Sequence, residues 1–154
     1  MGADDELSDE QRDAVRARIE LLVEEIAAAT GATIDRGVVA DIPYLSLEPR
    51  NDRAASLWIG FDYFLLVQAG HIGGSWELGY GEEDARLAEQ IIGAVADGRA
   101  SEVHALWRSR FEVVLDDGEV MTETGYDGCL AVLLPLPYWT RWGRRVYYEA
   151  YCAE

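Results

Sequence analysis

The feature that most constrains this chain is a series of short apolar segments that follow one another with only turn residues between them. The first four predicted strands are residues 44–48, 56–61, 63–68 and 75–78, separated by Pro, Asn, Asp and Gly. Connections this short leave no room for the crossover helices that parallel strands require. The sequence therefore predicts an antiparallel meander.

Two other segments repeat apolar residues at the spacing of a helix. The first begins near Ser8, where Ser8 and Gln11 form a capping-box pattern, and ends at Gly31, a residue typical of a helix C-terminus. The second spans residues 82–97, with three carboxylates in its first turn, where they interact favourably with the helix dipole. We expect both helices to cover one apolar face of the sheet.

The remaining predicted strands are residues 102–107, 110–115, 119–124 and 144–151, and Asp116-Asp117-Gly118 is a strong hairpin signal. The order is α-β-β-β-β-α-β-β-β-β. It predicts an α+β fold with two layers, in which a mostly antiparallel sheet carries two helices on one face. The apolar content of 49% suffices for a single domain over residues 8–154, preceded by a disordered acidic segment over residues 1–7.

The composition restricts the partners and the chemistry. The chain has 29 acidic residues and 13 basic ones, a net charge of −16, and every basic residue is arginine, which excludes lysine-dependent catalysis. Such a surface repels phosphate backbones and anionic lipids, so we expect neither a nucleic acid nor a membrane partner. The acidic N-terminus is unlike a secretory signal, which predicts a cytoplasmic protein. Cys129 and Cys152 are then expected to be buried thiols, with a single disulfide as the alternative.

A glycine-rich segment contains the most interesting histidine. Residues 70–74 read Gly-His-Ile-Gly-Gly, and an exposed His71 in such a loop could act as an acid or base. The alternative is a flexible hairpin, because a strand rather than a helix follows and no phosphate-binding geometry results. His71 and His104 lack zinc-ligand spacing, so we predict no metal site and no cofactor.

Carboxylates cluster around the start of the second helix. Glu77, Glu82, Glu83 and Asp84 form the group that we predict to contact a basic partner. The alternative is a solvated acidic face, since carboxylates at a helix N-terminus already have a structural reason to be there.

An aromatic and arginine-rich segment near the C-terminus contrasts with its acidic surroundings. Arginine stacks on tryptophan and tyrosine, and such mixtures are common in interfaces. The alternative is that these aromatic residues close the core while the arginines pair with carboxylates. The candidate patch consists of Trp76, Trp139, Arg141, Trp142, Arg144 and Arg145.

Three stretches carry a resemblance to known proteins: residues 74–80 with the following Glu82-Glu83-Asp84, residues 96–99, and residues 142–146. Over roughly residues 57–151 the chain resembles a group of small uncharacterised actinobacterial proteins, similar in size and acidity to immunity proteins of polymorphic toxin systems. The resemblance implies no catalytic residue. The apolar insert at residues 129–134 is longer than expected for that group.

These observations lead to one hypothesis and two alternatives. The first is a non-enzymatic protein-binding domain, an immunity-type inhibitor that occludes a basic site on a toxin or another protein. The second is a small enzyme or ligand-binding domain with an aromatic-lined pocket, which a deep pocket with convergent polar groups near His71 would favour. The third is a self-associating structural protein, a homodimer with an apolar patch at its two-fold interface.

Overall fold

The first half of the chain folds into a helix followed by five strands. The computed structural model describes residues 8–152; the segment 1–7, predicted to be disordered, lies outside the described residues. Helix α1 is capped as expected, with Ser8 and Gln11 forming a capping box. The elements are α1 (Asp9–Thr30), β1 (Thr33–Val39), β2 (Ile42–Glu48), β3 (Leu57–Phe61), β4 (Leu65–Ala69) and β5 (Ser75–Leu78).

The second half contains a long helix, four strands and two short helices. Its elements are α2 (Glu82–Ala96), β6 (Ala100–Ala105), β7 (Arg108–Val114), β8 (Val120–Tyr126), α3 (Cys129–Leu133), α4 (Trp139–Trp142) and β9 (Arg144–Tyr147). The strands form two sheets, one in the order β1-β2-β3-β4-β5 and one in the order β8-β7-β6-β9. All neighbouring strands are antiparallel.

Both sheets contribute to one apolar core. Helix α1 packs on β1, β2 and α2, and α2 packs on β4, β5 and β7. Between the sheets, the Trp76 ring meets the Phe111 ring edge-on with centroids 5.8 Å apart, and Phe111 stacks on Tyr148 at 5.7 Å. The α+β class with antiparallel strands and two long helices is therefore confirmed.

The structure differs from the predicted strand pattern in three places. It divides the expected single sheet into two: among the described residues no strand of β1–β5 is hydrogen-bonded to a strand of β6–β9, and the two groups meet through side chains such as Trp76 and Phe111. It adds β1, an edge strand whose side chains are mostly exposed, so that its sequence lacks the apolar alternation of a half-buried strand. It ends β9 at Tyr147, since the backbone N–H groups of Tyr148 and Glu149 turn to bond Ala100 and Arg53.

Candidate functional site

One face of the five-stranded sheet is free of helices. Successive side chains of a strand point to opposite faces, and the buried residues Leu45, Leu47 and Ile59 point toward the core. Their neighbours form a row that crosses all five strands, because each member is paired directly with the next. The row consists of Asp35, Ser46, Trp58, Gln68 and Ser75.

Two aromatic rings lie across this open face where glycines leave room for them. A Cβ on Gly37 would lie 2.9 Å from the Tyr44 ring, and one on Gly60 would lie 2.5 Å from the tip of the Trp58 ring. The Tyr44 and Trp58 rings are stacked, with centroids 5.8 Å apart and planes inclined by 23°. The glycines therefore act as the floor of an aromatic surface.

Carboxylates flank the two rings. The Tyr44 hydroxyl donates a hydrogen bond of 2.9 Å to Asp35, and this bond raises the pKa of Tyr44 above its usual value. The Ser56 hydroxyl donates to Glu48. Together with the cross-strand row and residues 70–74, these residues line a cleft of about 530 Å³, called here the sheet cleft. No arginine is among the described residues that line it.

A buried carboxylate holds one wall of the sheet cleft in place. Glu102 on β6 has no exposed surface and lies beneath the glycine-rich loop 70–74. The backbone N–H groups of His71, Ile72 and Gly73 donate to its two oxygens at 3.1 to 3.3 Å, and the hydroxyls of Ser109 and Tyr148 donate to it as well. The loop is therefore anchored from below.

These donors keep Glu102 ionised. Burial opposes the charge, but the hydrogen bonds from Ser109, Tyr148 and the loop amides outweigh it and lower the pKa of the carboxyl below its usual value. Burial and the same contact raise the pKa of Tyr148. The carboxylate is a structural acceptor for the loop amides, and with no exposed surface it is covered from the sheet cleft by the loop that it holds.

The two histidines lie near each other at the edge of this network. Their ring centroids are 6.1 Å apart, and the His104 Nε2 atom is 3.6 Å from a Glu102 oxygen. His71 is exposed and lines the sheet cleft, but its imidazole forms no hydrogen bond with any described residue. The arrangement thus provides no carboxylate that orients His71 toward the cleft.

The structure does not gather the four acidic residues predicted to contact a partner. Glu77 is exposed on the open face of β5, whereas the other three lie in the first turn of α2. Glu82 accepts hydrogen bonds from Arg18 and Arg86, which lower the pKa of Glu82, and Asp84 accepts the N–H of Gly79 at 2.8 Å. Glu83 is exposed. Two of the four carboxylates are therefore already engaged within the chain.

The predicted aromatic and arginine patch is divided between core and surface. Trp76 is 5% exposed and packs in the core, so it cannot serve as a surface anchor. Arg145 pairs with Glu112 on β7. Trp139, Arg141, Trp142 and Arg144 do lie together, in α4 and at the start of β9.

Two further predictions concern cysteine and membrane association. Cys129 and Cys152 are both exposed and unpaired, so the expected burial of these thiols is wrong: Cys129 begins a surface helix and Cys152 lies in a terminal turn. None of the helices between residues 8 and 152 is long and apolar enough to cross a membrane. Within the same range, no group of three or more His, Cys, Asp or Glu side chains could hold a metal ion.

Sequence reasoning missed the residues that build the sheet cleft and its wall. Alternation in the second and third strands places Tyr44, Ser46 and Trp58 on one face, and this signal was available. Asp35 lies on β1, which has no such signal. A comparison with models of known families, with curated proteins and with solved structures finds no match for this chain.

Proposed function

We propose that this chain is a non-enzymatic protein-binding domain of the cytoplasm, an immunity-type inhibitor that receives a basic segment of its partner in the sheet cleft. The observation that carries the proposal is the lining of the cleft, which combines a stacked Tyr44–Trp58 pair with two carboxylates and no arginine among the described residues. The unpaired Cys129 and Cys152 are compatible with a reducing compartment.

The lining is suited to an arginine or lysine side chain. A guanidinium group over the face of Trp58 gains a cation–π interaction, and Asp35 and Glu48 offer oxygen acceptors at the rim. Arginine and tryptophan are also the residues most often found at the energetic centre of interfaces. An inserted arginine would thus meet both components of the site.

The net charge of −16 supports the same partner chemistry. A basic protein approaches an acidic surface faster than a neutral one, and the effect weakens as salt screens the charges. The charge of Glu82 is already paired with Arg18 and Arg86, whereas among the described residues Asp35 and Glu48 accept hydrogen bonds only from neutral hydroxyls, which favours the sheet cleft over Glu82 as the place of direct contact. The α2 carboxylates would then contribute to the long-range field only.

Binding is favoured over catalysis by the state of the acid and base groups. Glu102 is sealed under the loop with a lowered pKa, and His71 has no described carboxylate partner. A proton-transfer site needs a group within hydrogen-bond reach of the substrate, and the loop over Glu102 keeps its oxygens from the cleft.

The test is a titration of the ¹⁵N-labelled protein with hexa-arginine, followed through the indole N–H signal of Trp58. We expect saturable shifts of that signal and an affinity that falls as salt increases. Asp35→Asn and Glu48→Gln should each weaken binding about 5-fold or more, because each removes a negative charge at the rim and replaces one acceptor oxygen with a donor. Glu83→Gln is the matched control: it removes one exposed charge from α2 and should leave the affinity within about 2-fold.

Two results would overturn the proposal. One is an equal effect of Glu83→Gln and Glu48→Gln, which would mean that hexa-arginine senses only the net charge. The other is saturable, salt-independent binding of a neutral sugar such as maltose in place of hexa-arginine, which would support the alternative of a small-molecule pocket.

A further inference from the structure

A second surface, unrelated to the sheet cleft, lies at the end of the four-stranded sheet. After β8 the chain forms α3 and α4, which lie beside the tight β6–β7 turn at Leu106-Trp107. It then returns as β9 next to β6. Trp107, Leu130, Leu133 and Leu134 line an apolar groove there of about 320 Å³, called here the α3 groove.

The α3 groove is held by a buried arginine. The Arg108 guanidinium, on a residue only 5% exposed, donates to the carbonyl oxygens of Ala131 and Leu134 at 2.6 and 2.8 Å. It also lies 5.3 Å from the Tyr126 ring centroid and 6.0 Å from that of Trp139. Because carbonyls at the end of a short helix lack partners within it, this cation fixes α3 against the sheet.

Large apolar side chains in and around the groove are exposed. Leu130 and Leu133 are 76% and 77% exposed, and Trp107 and Trp142 are each more than half exposed. Eleven of the 17 large apolar side chains that are exposed among the described residues lie in residues 106–142, and nine of them remain when Val114 and Val120, at the opposite end of β7, are left out. Trp107, Leu130, Leu133 and Leu134 lie together around the groove, and an exposed apolar patch is typical of an interaction site.

We propose that the α3 groove is the interface of a homodimer, in which two copies of the chain pack this surface against each other about a two-fold axis. A two-fold interface uses the same patch twice and must therefore be complementary to itself. The patch offers both shapes that this requires: the projecting Leu130 and Leu133 side chains, and the hollow between α3 and Trp107.

The charges at its rim are self-complementary as well. Arg141 and Arg144 are exposed and form no ion pair with any described residue. Arg144 lies at the groove because it is paired in register with His104, just before the Leu106-Trp107 turn. On the other side, the exposed Asp127 is tied to Trp107 by a backbone hydrogen bond of 2.8 Å. A rim of one sign would select an oppositely charged partner, whereas a rim of both signs matches a second copy.

This interface should respond to salt in the opposite sense to the sheet cleft. Two copies of charge −16 repel each other at long range, and the contact itself is apolar, so screening should tighten the dimer. Capture of a basic segment by the sheet cleft should weaken under the same change. The two proposals can therefore fail independently.

Analytical ultracentrifugation between about 1 and 200 µM, at low and at high salt, tests the dimer directly. We expect a monomer–dimer equilibrium that Leu133→Glu weakens about 30-fold or more, as loss of an interface anchor does. Leu133 is so exposed that the substitution leaves the fold intact, which circular dichroism would check. Leu21→Glu is the matched control, since Leu21 is also exposed but lies on α1. This variant should have the same dimer dissociation constant as the original chain.

The two cysteines provide an independent measurement in the unmodified protein. Cys129 precedes Leu130 at the start of α3, whereas Cys152 follows Tyr151, whose N–H bonds Ala96 at the opposite end of the sheet. Both thiols are exposed in the single chain. Alkylation of Cys129 should therefore slow as protein concentration rises, while that of Cys152 should not change.

The proposal is overturned if the protein stays monomeric up to about 200 µM at both salt concentrations. It is also overturned if Leu21→Glu disrupts the dimer as strongly as Leu133→Glu, or if both cysteines are protected equally. Binding of the monomer to neutral lipid vesicles through Leu133 would likewise contradict it, because the occupant would then be a membrane.

Discussion

The backbone N–H of His71 donates a hydrogen bond of 3.1 Å to the carboxylate of Glu102, a residue with no exposed surface. The residue that looked most like an acid or base from the sequence is thus positioned through its main chain, by a buried anion. Its side chain remains in the solvent.

Replacing the anion should destabilise the fold. Glu102→Gln turns an amide NH₂ toward donors that previously bonded a carboxylate, and leaves buried N–H groups without an acceptor. We expect the free energy of unfolding to fall by about 3 kcal/mol, measured by urea denaturation. Glu83→Gln serves as the control on an exposed carboxylate and should change stability little. Equal stabilities of the two variants would contradict the role given to Glu102.

The same carboxylate should make stability depend on acid. The pKa of Glu102 is lower in the folded chain than in the unfolded one, where it is about 4.3. Its stabilising effect is therefore fully present above that value and is lost as the pH falls toward the folded pKa. Urea denaturation between pH 7 and pH 3 should show that the difference in free energy of unfolding between the original chain and Glu102→Gln becomes smaller below about pH 4. A difference that stays constant over this range would show that Glu102 has the same pKa in the folded and the unfolded chain.

The glycine floor of the sheet cleft should control the Trp58 ring. Gly60→Ala places a Cβ 2.5 Å from the ring tip, which can swing away, so we expect a small loss of stability and a clear loss of hexa-arginine binding. The Trp58 indole signal would report the displaced ring. Gly93→Ala is the control, because no atom lies within 4 Å of its added Cβ; it should stabilise α2 by up to about 1 kcal/mol and leave binding unchanged. Unaltered binding in Gly60→Ala would argue against the ring as a contact.

The β1–β2 hairpin should accept a stabilising change. Ala40 and Asp41 join the strands with φ of 49° and 66°, a backbone region that Asn and Gly adopt at little cost. The double variant Ala40→Asn, Asp41→Gly should gain about 1 kcal/mol of stability. Ala28→Asn, the same change at an exposed position within α1, should instead lose about 0.5 kcal/mol. If the turn variant also loses stability, as Ala28→Asn is expected to, the turn is not strained.

Prediction from the sequence succeeded where the signal is local along the chain. The capping box of Ser8 and Gln11, the end of α1 at Gly31 and the hairpin around Gly118 all lie where their patterns indicate. Strand β1 was missed because its hairpin turns on Ala40-Asp41 rather than on Asn-Gly, and because most of its side chains are exposed and do not alternate.

The site escaped prediction for a different reason. The partners of Glu102 lie 7 residues away at Ser109, 31 at His71 and 46 at Tyr148, so no local window contains the network. The carboxylate itself is one of 29 acidic residues, and nothing in its neighbourhood along the chain distinguishes it. Only strand pairing brings the donors together.

The alternation along β1 to β5 separates two tasks within the same backbone. Leu45, Leu47 and Ile59 maintain the core, while Asp35, Ser46 and Trp58 present the cleft, and the two sets share no face. Substitutions in the second set can therefore alter what the surface accepts without a cost to the interior. On the proposed function, a lineage that must follow a changing partner can vary these cleft residues one by one on an unchanging scaffold.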